Sequence, residues 1–364
     1  MAKPNNAKTD GELGTSEPGT CTAIARIDGW LASSLMQKAI RRGETEVALK
    51  AGERLLELRG VAAFNRLIVT AFEDIGIGSE AAITFTVAAG TDLQHRRNAG
   101  GNDEAMARVI EHLSCAAKDR SADYLICSAK LHPSLEHTRE CVGRMTLKNR
   151  TALATDVSAP ITERAVAAWY ASGLEWEGER RVGAGDLRGL LGQFGLVSVS
   201  EPLLNATAIA ARRTKEPIVV MVPVLASALQ HCAVPMSSQP TLPSTAVSKG
   251  VPLYAFGHHT RIGKQAIRRF VRECTAVRAV IEKHVPDYKA AAVGEMAVYY
   301  ADAAPVTPKL VWEHSLELER LGRESDFLSA GAPASSVQEI CEVVLANLDR
   351  LNLIRAEMFE AIPQ

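Results

Sequence analysis

The chain has 364 residues, 47% hydrophobic and 5% aromatic, with 41 basic against 42 acidic side chains and a net charge of −1. That length supports two or three domains with sizeable cores. The neutral balance excludes a global pull toward polyanions, so nucleic-acid binding needs a local basic patch. The scarcity of aromatics argues against a general single-strand-binding surface.

Residues 1–25 are polar, carry several Gly and Pro, and lack the apolar stretch of a signal peptide, which predicts a disordered tail. No run approaches the length of about 18 apolar residues that reads as a membrane span, so the cytoplasm is the expected compartment and no membrane partner is expected. The seven cysteines (Cys21, Cys115, Cys127, Cys141, Cys232, Cys274, Cys341) are scattered and never spaced C-x-x-C. This predicts reduced thiols, with no disulfide framework, no metal site and no cofactor.

From residue 26 to about 140 the pattern is helical. Leu31, Leu35, Ala39 and Ile40 recur at helical spacing, and Gly43 is a plausible C′ residue. A second helix is predicted over Thr45–Leu58, with Val47, Ala51, Leu55 and Leu58 on one face, and a third over Ala63–Phe72. Others fit Ala81–Thr91, Asp103–Ala117 and Ser121–Leu131. Leu35, Leu49, Leu55, Leu67 and Phe72 are the expected core of this bundle. A charged, turn-rich stretch, 136–160, reads as a boundary. A middle helical region follows over 155–232, with helices near Thr162–Ser172 and Asp186–Phe194 and an exposed loop at Leu174–Gly185. Pro217–Val222 is too short for periodicity to separate strand from helix. Residues 233–252 form a Pro/Ser-rich loop, and 253–364 a second helical region. No internal repeat is apparent. The expected fold class is mainly α: an N-terminal helical bundle, then a largely helical C-terminal region.

Three short motifs carry a resemblance. The first is Ser34-Leu-Met-Gln-Lys38-Ala-Ile-Arg-Arg42-Gly43. The second is Asn65-Arg66-Leu-Ile-Val-Thr-Ala-Phe-Glu73-Asp74-Ile75-Gly76. The third is Leu113-Ser-Cys-Ala-Ala-Lys118. In this order they resemble the helical region that follows the ATPase module in the RarA/MgsA replication-maintenance family, over about residues 30–135. Ala117 and Asp119 depart from the proline and serine of the family's third motif. The resemblance implies a collar-like domain, a link to DNA and a possible homo-oligomer.

An ATPase is not expected. The nearest approach to a phosphate-binding loop, Gly257-His-His-Thr-Arg-Ile-Gly263-Lys264-Gln265, has one residue too many and Gln where Ser or Thr holds the metal. The 29 residues ahead of Trp30 are too few for such a module. The same segment is instead the candidate DNA contact. From Arg261 to Lys283 there are seven basic residues against two acidic ones, a local +5. A glycine turn opens a helix there, so Arg261, Gly263, Lys264, Arg268 and Arg269 are candidate phosphate-binding residues; the competing reading is a solvated basic face. Ile262-Gly-Lys-Gln-Ala266 also weakly resembles the turn of a helix–hairpin–helix, where DNA glycosylases place an aspartate downstream. That resemblance makes Asp287 the candidate catalytic carboxylate, with Asp302 and Glu313 in reserve. His259 is the candidate base- or phosphate-contacting group. His258-His259 with His231-Cys232 is a weaker zinc candidate. Glu73 and Asp74 are adjacent, about 100° apart on a helix, and read as architectural. Trp169 reads as core.

Three functions fit. The leading one is a DNA-binding protein in genome maintenance or defence against foreign DNA. The second is a DNA N-glycosylase excising a modified base and leaving an abasic site. The third is a non-catalytic protein-interaction scaffold.

Overall fold

In the computed structural model, residues 24–176 and 183–361 are described. The expected N-terminal tail up to residue 23 and the tip of the 174–185 loop, residues 177–182, lie outside them. The fold is mainly α, 74% helix and 4% strand.

Helix α1 (Gly29–Arg42) starts where Asp28 Oδ1 accepts from the amides of Trp30 and Leu31 at 2.9 and 2.8 Å, and ends at Gly43 in the left-handed conformation. Its buried face includes Gln37, Lys38, Arg41 and Arg42 as well as Leu31, Leu35 and Ile40. Burying four polar side chains on one helix demands partners, and these define the site below. Helix α2 (Thr45–Arg59) packs along α1 and buries Ala48, Ala51, Gly52, Leu55 and Leu56. Leu49 is only half-buried, and Leu58 points outward. Ala51 and Leu55 are buried as expected, while Ala48, Gly52 and Leu56 join them in place of Val47 and Leu58. Helix α3 (Ala63–Thr70) continues into a π-helical segment, Ala71–Ile75. Gly76 closes that segment at φ +49°, where a Cβ would meet the Asp119 carbonyl oxygen at 2.6 Å.

Helices α4 (Glu80–Thr91), α5 (Leu93–Asn98), α6 (Asn102–Cys115) and α7 (Ser121–Leu131) complete the first bundle. Between α6 and α7 Lys118 is buried. Its Nζ donates to the carbonyls of Ser114 at 2.5 Å and Ala116 at 3.0 Å, satisfying the open end of α6. The stretch expected as a turn-rich boundary is two helices, α8 (Glu136–Arg144) and α9 (Leu147–Thr155). Helix α10 (Ile161–Ser172) buries Trp169 as expected. Helices α11 (Leu187–Leu196) and α12 (Glu201–Thr214) precede a 3-10 turn at Pro217–Val220 that enters α13 (Met221–Leu229), so the ambiguous apolar run is helical.

The proline-rich segment contributes β1 (Met236–Ser238) and β2 (Val247–Ser248). It is tied to α1 by Arg42, which donates to Pro243 O at 2.5 Å and to Thr245 Oγ1 at 3.0 Å. Strand β2 pairs antiparallel with β3 (Val251–Pro252), Val247 opposite Pro252. Helices α14 (Arg261–Glu273), α15 (Thr275–His284) and α16 (Asp287–Val298) follow, and α16 runs into a second π-helical segment, Tyr299–Ala303. Strand β4 (Lys309–Val311) pairs antiparallel with β1, Met236 opposite Val311. Helices α17 (Ser315–Ala330), α18 (Val337–Ala346) and α19 (Leu348–Glu360) end the chain.

Helix α17 packs along α7, α12 against α4, and α13 against α7 and α10. The buried apolar residues form one continuous cluster from Ile24 to Ile354. The order helix, helix, helix, π segment thus occurs twice, α1–α3 with Ala71–Ile75 and α14–α16 with Tyr299–Ala303. The first helices of the two sets carry Gln37-Lys-Ala-Ile-Arg-Arg42 and Lys264-Gln-Ala-Ile-Arg-Arg269, and each π segment carries acid, Glu73-Asp74 in one and Asp302 in the other.

Candidate functional site

The partners of α1's buried cations come from both ends of the chain. Arg41 Nε donates to Asp74 Oδ1 at 2.7 Å and Nη2 to Glu73 Oε1 at 2.6 Å, while Nη1 reaches the Ala303 carbonyl at 3.0 Å. Arg120, at the start of α7, lies 3.1 Å from Asp74 Oδ1 and 3.5 Å from Glu73 Oε1. Its Nη2 also donates to Asp123 Oδ2 and to Tyr299 Oη. Gln37 donates to Asp74 Oδ2 at 2.8 Å and accepts from Arg66. Lys38 Nζ donates to the carbonyls of Tyr254 at 2.7 Å and Ala255 at 3.3 Å. Arg355 on α19 pairs with Asp302 at 2.7 Å.

This network has a dry floor and an open rim. Arg41, Arg120 and Asp74 have side-chain exposures of 4%, 1% and 0%, whereas Glu73 keeps 15% and Asp123 19%. Tyr299 and His258 are half-buried and His259 is exposed. The His258 ring meets Tyr299 edge-on at 5.3 Å and lies 3.8 Å from His259.

The electrostatics divide the two open acids. Burial pushes Glu73 up, but Arg41, Arg66 and Arg120 outweigh it and hold the carboxyl at about 2. Burial pushes Asp123 up to about 7, Arg120 opposing and Glu73 and Asp326 adding to the rise. Burial and the nearby Arg355 push Lys38 down to about 7. Burial, His259 and Lys38 push His258 down to about 2. Packing around His259 and the Lys38 ammonium push that ring down to about 4, although part of it faces solvent.

Next to the histidines is a cleft of about 280 Å³ lined by Asp28, Trp30, Phe256, His259, Thr260 and Arg261. Helices α1 and α14 both begin at it. Trp30 is 69% exposed, with the Arg59 guanidinium 5.1 Å from its ring centroid. Thr260 Oγ1 caps α14 by accepting from the Gly263 amide at 3.1 Å, leaving the first amides of the helix without intrahelical partners. Gly263 is buried, and a Cβ there would meet the Gly257 carbonyl oxygen at 2.1 Å, so this loop docks on the helix only because the position is glycine.

The expected phosphate residues divide into two groups. Arg261 and Lys264 are exposed, and among the described residues neither has an ion pair. Arg268 is exposed but 3.7 Å from Glu295, and Arg269 is held between Glu273 at 2.9 Å and Glu357 at 2.8 Å. Arg272 and Arg278 also face acids, Glu273 and Glu282. Glu273 and Glu282 are already counted in the local +5; the acids brought from other elements, Glu295, Glu357 and Glu339, reduce it further. Asp287 is the exposed first residue of α16, and among the described residues no contact joins it to His259 or to the basic turn. Asp302 is buried in its pair with Arg355, and Glu313 is exposed. Composition and spacing assign no site role to Lys38, Arg41, Arg120 or Asp123, and place Tyr299 only in an aromatic–acid cluster with Asp302.

A cleft of about 940 Å³ lies between Thr241–Pro243, Tyr300 and helices α17 and α18, and its arginines face glutamates, Arg320 to Glu324 and Arg323 to Glu319. Among the described residues no three His, Cys, Asp or Glu side chains come together to hold a metal ion, and no helix is long and apolar enough to cross a membrane. No known family, no curated protein and no solved structure matches the chain.

Proposed function

We propose that the protein binds DNA, in genome maintenance or in defence against foreign DNA inside the cell, through the cleft where α1 and α14 begin. The observation that carries this reading is the exposed Trp30 ring with Arg59 over it, beside Arg261 and Lys264, which have no ion pair among the described residues, at a helix N-terminus. An indole face accepts any base by stacking, worth about 1–3 kcal/mol per base. These two exposed cations and a helix N-terminus suit backbone phosphates. The likeness of the first bundle to the RarA/MgsA collar supports the same direction and suits a homo-oligomer.

The test is DNA retention across a salt gradient. R261A/K264A should lower the slope of log affinity against log salt by about two, close to one per phosphate contact. W30A should weaken single-strand binding about fivefold or more with the slope unchanged. Salt-independent retention, or none, would favour a protein-interaction scaffold.

A further inference from the structure

His259 lines the cleft and its ring lies against His258, which in turn meets Tyr299 at the edge of the ionic network, and that edge has a chemistry unlike the cleft. What faces solvent there is two carboxyls, a phenol and an imidazole, Glu73, Asp123, Tyr299 and His258, beside the half-buried Arg66 guanidinium, which donates to Gln37. The guanidinium groups that would receive a phosphate, Arg41 and Arg120, are buried and already committed to acids. With Asp123 protonated, the anion at this edge is the Glu73 carboxylate. A sugar carbon that becomes positive as its leaving group departs is attracted to it. Both π-helical segments meet at this edge, one supplying Glu73 and the other Tyr299, and π segments recur at functional positions. Glu73 Oε1 and Asp123 Oδ2 touch the same nitrogen, Arg120 Nη2, so the two carboxylates stand side by side.

We propose that Glu73 and Asp123 form a hydrolytic site for the N-glycosidic bond of a nucleotide held at the Trp30 cleft. This rests on the DNA-binding reading and assigns it a reaction. The C1′–N bond breaks and its electron pair leaves on the base nitrogen, which takes the proton of the Asp123 carboxyl. The Glu73 carboxylate, fixed by Arg41 and Arg120, balances the positive sugar. Water adds to C1′ and its proton goes to the vacated Asp123 carboxylate. One water is consumed, the free base and an abasic sugar are formed, and the site returns to its starting state. Arg120 is a positioning residue that holds both acids. Asp123 is faced by Arg120, Glu73, Arg41, Asp326 and Tyr299, and the balance among them leaves it protonated up to about 7. Paired acids of opposed ionisation are the usual equipment for glycosidic cleavage.

The experiment incubates the full chain with three DNAs: single-stranded phage DNA, plasmid duplex, and duplex from a phage carrying modified bases. Free nucleosides serve as a fourth probe. Abasic aldehydes and alkali-labile breaks are counted, and released base is measured by mass spectrometry. The expected result is base release from at least one DNA, falling as pH rises through about 7. E73Q and D123N should each slow it at least a hundredfold, with DNA retention within about twofold of wild type as evidence of an intact fold. Retention of DNA with no release from any of the three overturns the inference and leaves the DNA-binding reading standing. Release from nucleosides without DNA retention overturns the DNA-binding reading and supports hydrolysis. Release undiminished in both variants overturns the assignment of these carboxylates.

Discussion

At the scale of single residues, the network is a set of titrations pulled apart by burial. His258 is held neutral in the fold, down at about 2, while in an unfolded chain it takes a proton near 6.5. Its folded value is depressed, so its contribution is complete above pH 6.5 and is lost as pH falls below that. Asp119 and Asp123, raised to about 6 and about 7, work in the other direction: the fold holds their protons where the unfolded chain has released them, so they lose stability as pH rises from about 4. The isolated effect of the histidine is therefore a difference between variants. Relative to wild type, H258N should gain denaturant midpoint progressively as pH falls from 6.5 to 4. Parallel midpoints across that range would mean His258 is protonated in the fold after all. None of this was readable from the sequence. Lys38-Ala-Ile-Arg-Arg42 before a glycine looks like the basic, solvated end of a helix. The Arg41–Asp74 and Arg120–Tyr299 contacts join positions 33 and 179 residues apart, which no spacing rule reaches.

At the scale of elements, legibility followed the apolar stripe. Helix α7 runs from Ser121 to Leu131, as its pattern predicts, and α4 and α10 begin one residue before the expected positions. Helices α8 and α9 were missed because they have almost no stripe: α8 buries only Val142, and α9 only Arg150 and Ala154. The π segments were invisible because they extend α3 and α16 without any break in composition. The loop into α14 was half-read. Its glycines suggested a phosphate turn, whereas the structure uses Gly263 for the close approach of Gly257. G263A should therefore destabilise the protein by about 1–3 kcal/mol, as overpacking does, and should loosen His259 and Arg261 together. The check is a chemical denaturation midpoint alongside DNA affinity. A variant as stable as wild type would show that the loop shifts freely and that the contact positions nothing.

At the scale of the whole molecule, the ionic network is where the two ends of the chain meet. Arg41 on α1 reaches Ala303, Arg120 reaches Tyr299, and Lys38 reaches Tyr254 and Ala255, so the first bundle and the last helices share one set of buried partners. The apolar cluster is likewise continuous from Ile24 to Ile354. A buried ion network adds little stability over an apolar core of the same shape, but removing one partner leaves the others charged and dry, at a cost of about 3–5 kcal/mol. Asp74 is the member with most to lose, because Arg41, Arg120 and Gln37 all converge on it and none of its surface meets water. D74A should therefore destabilise by about that amount and should affect both ends alike. With Trp30 of α1 replaced by Phe throughout, the remaining tryptophans, Trp169, Trp176 and Trp312, lie in the middle and last parts of the chain, so tryptophan fluorescence follows those parts while far-ultraviolet circular dichroism follows every helix. In W30F the two transitions should coincide, and in W30F/D74A they should move together to lower denaturant. If the circular dichroism transition splits while the fluorescence midpoint holds, the first bundle unfolds independently, and the network is a local feature of that bundle rather than the joint between the ends.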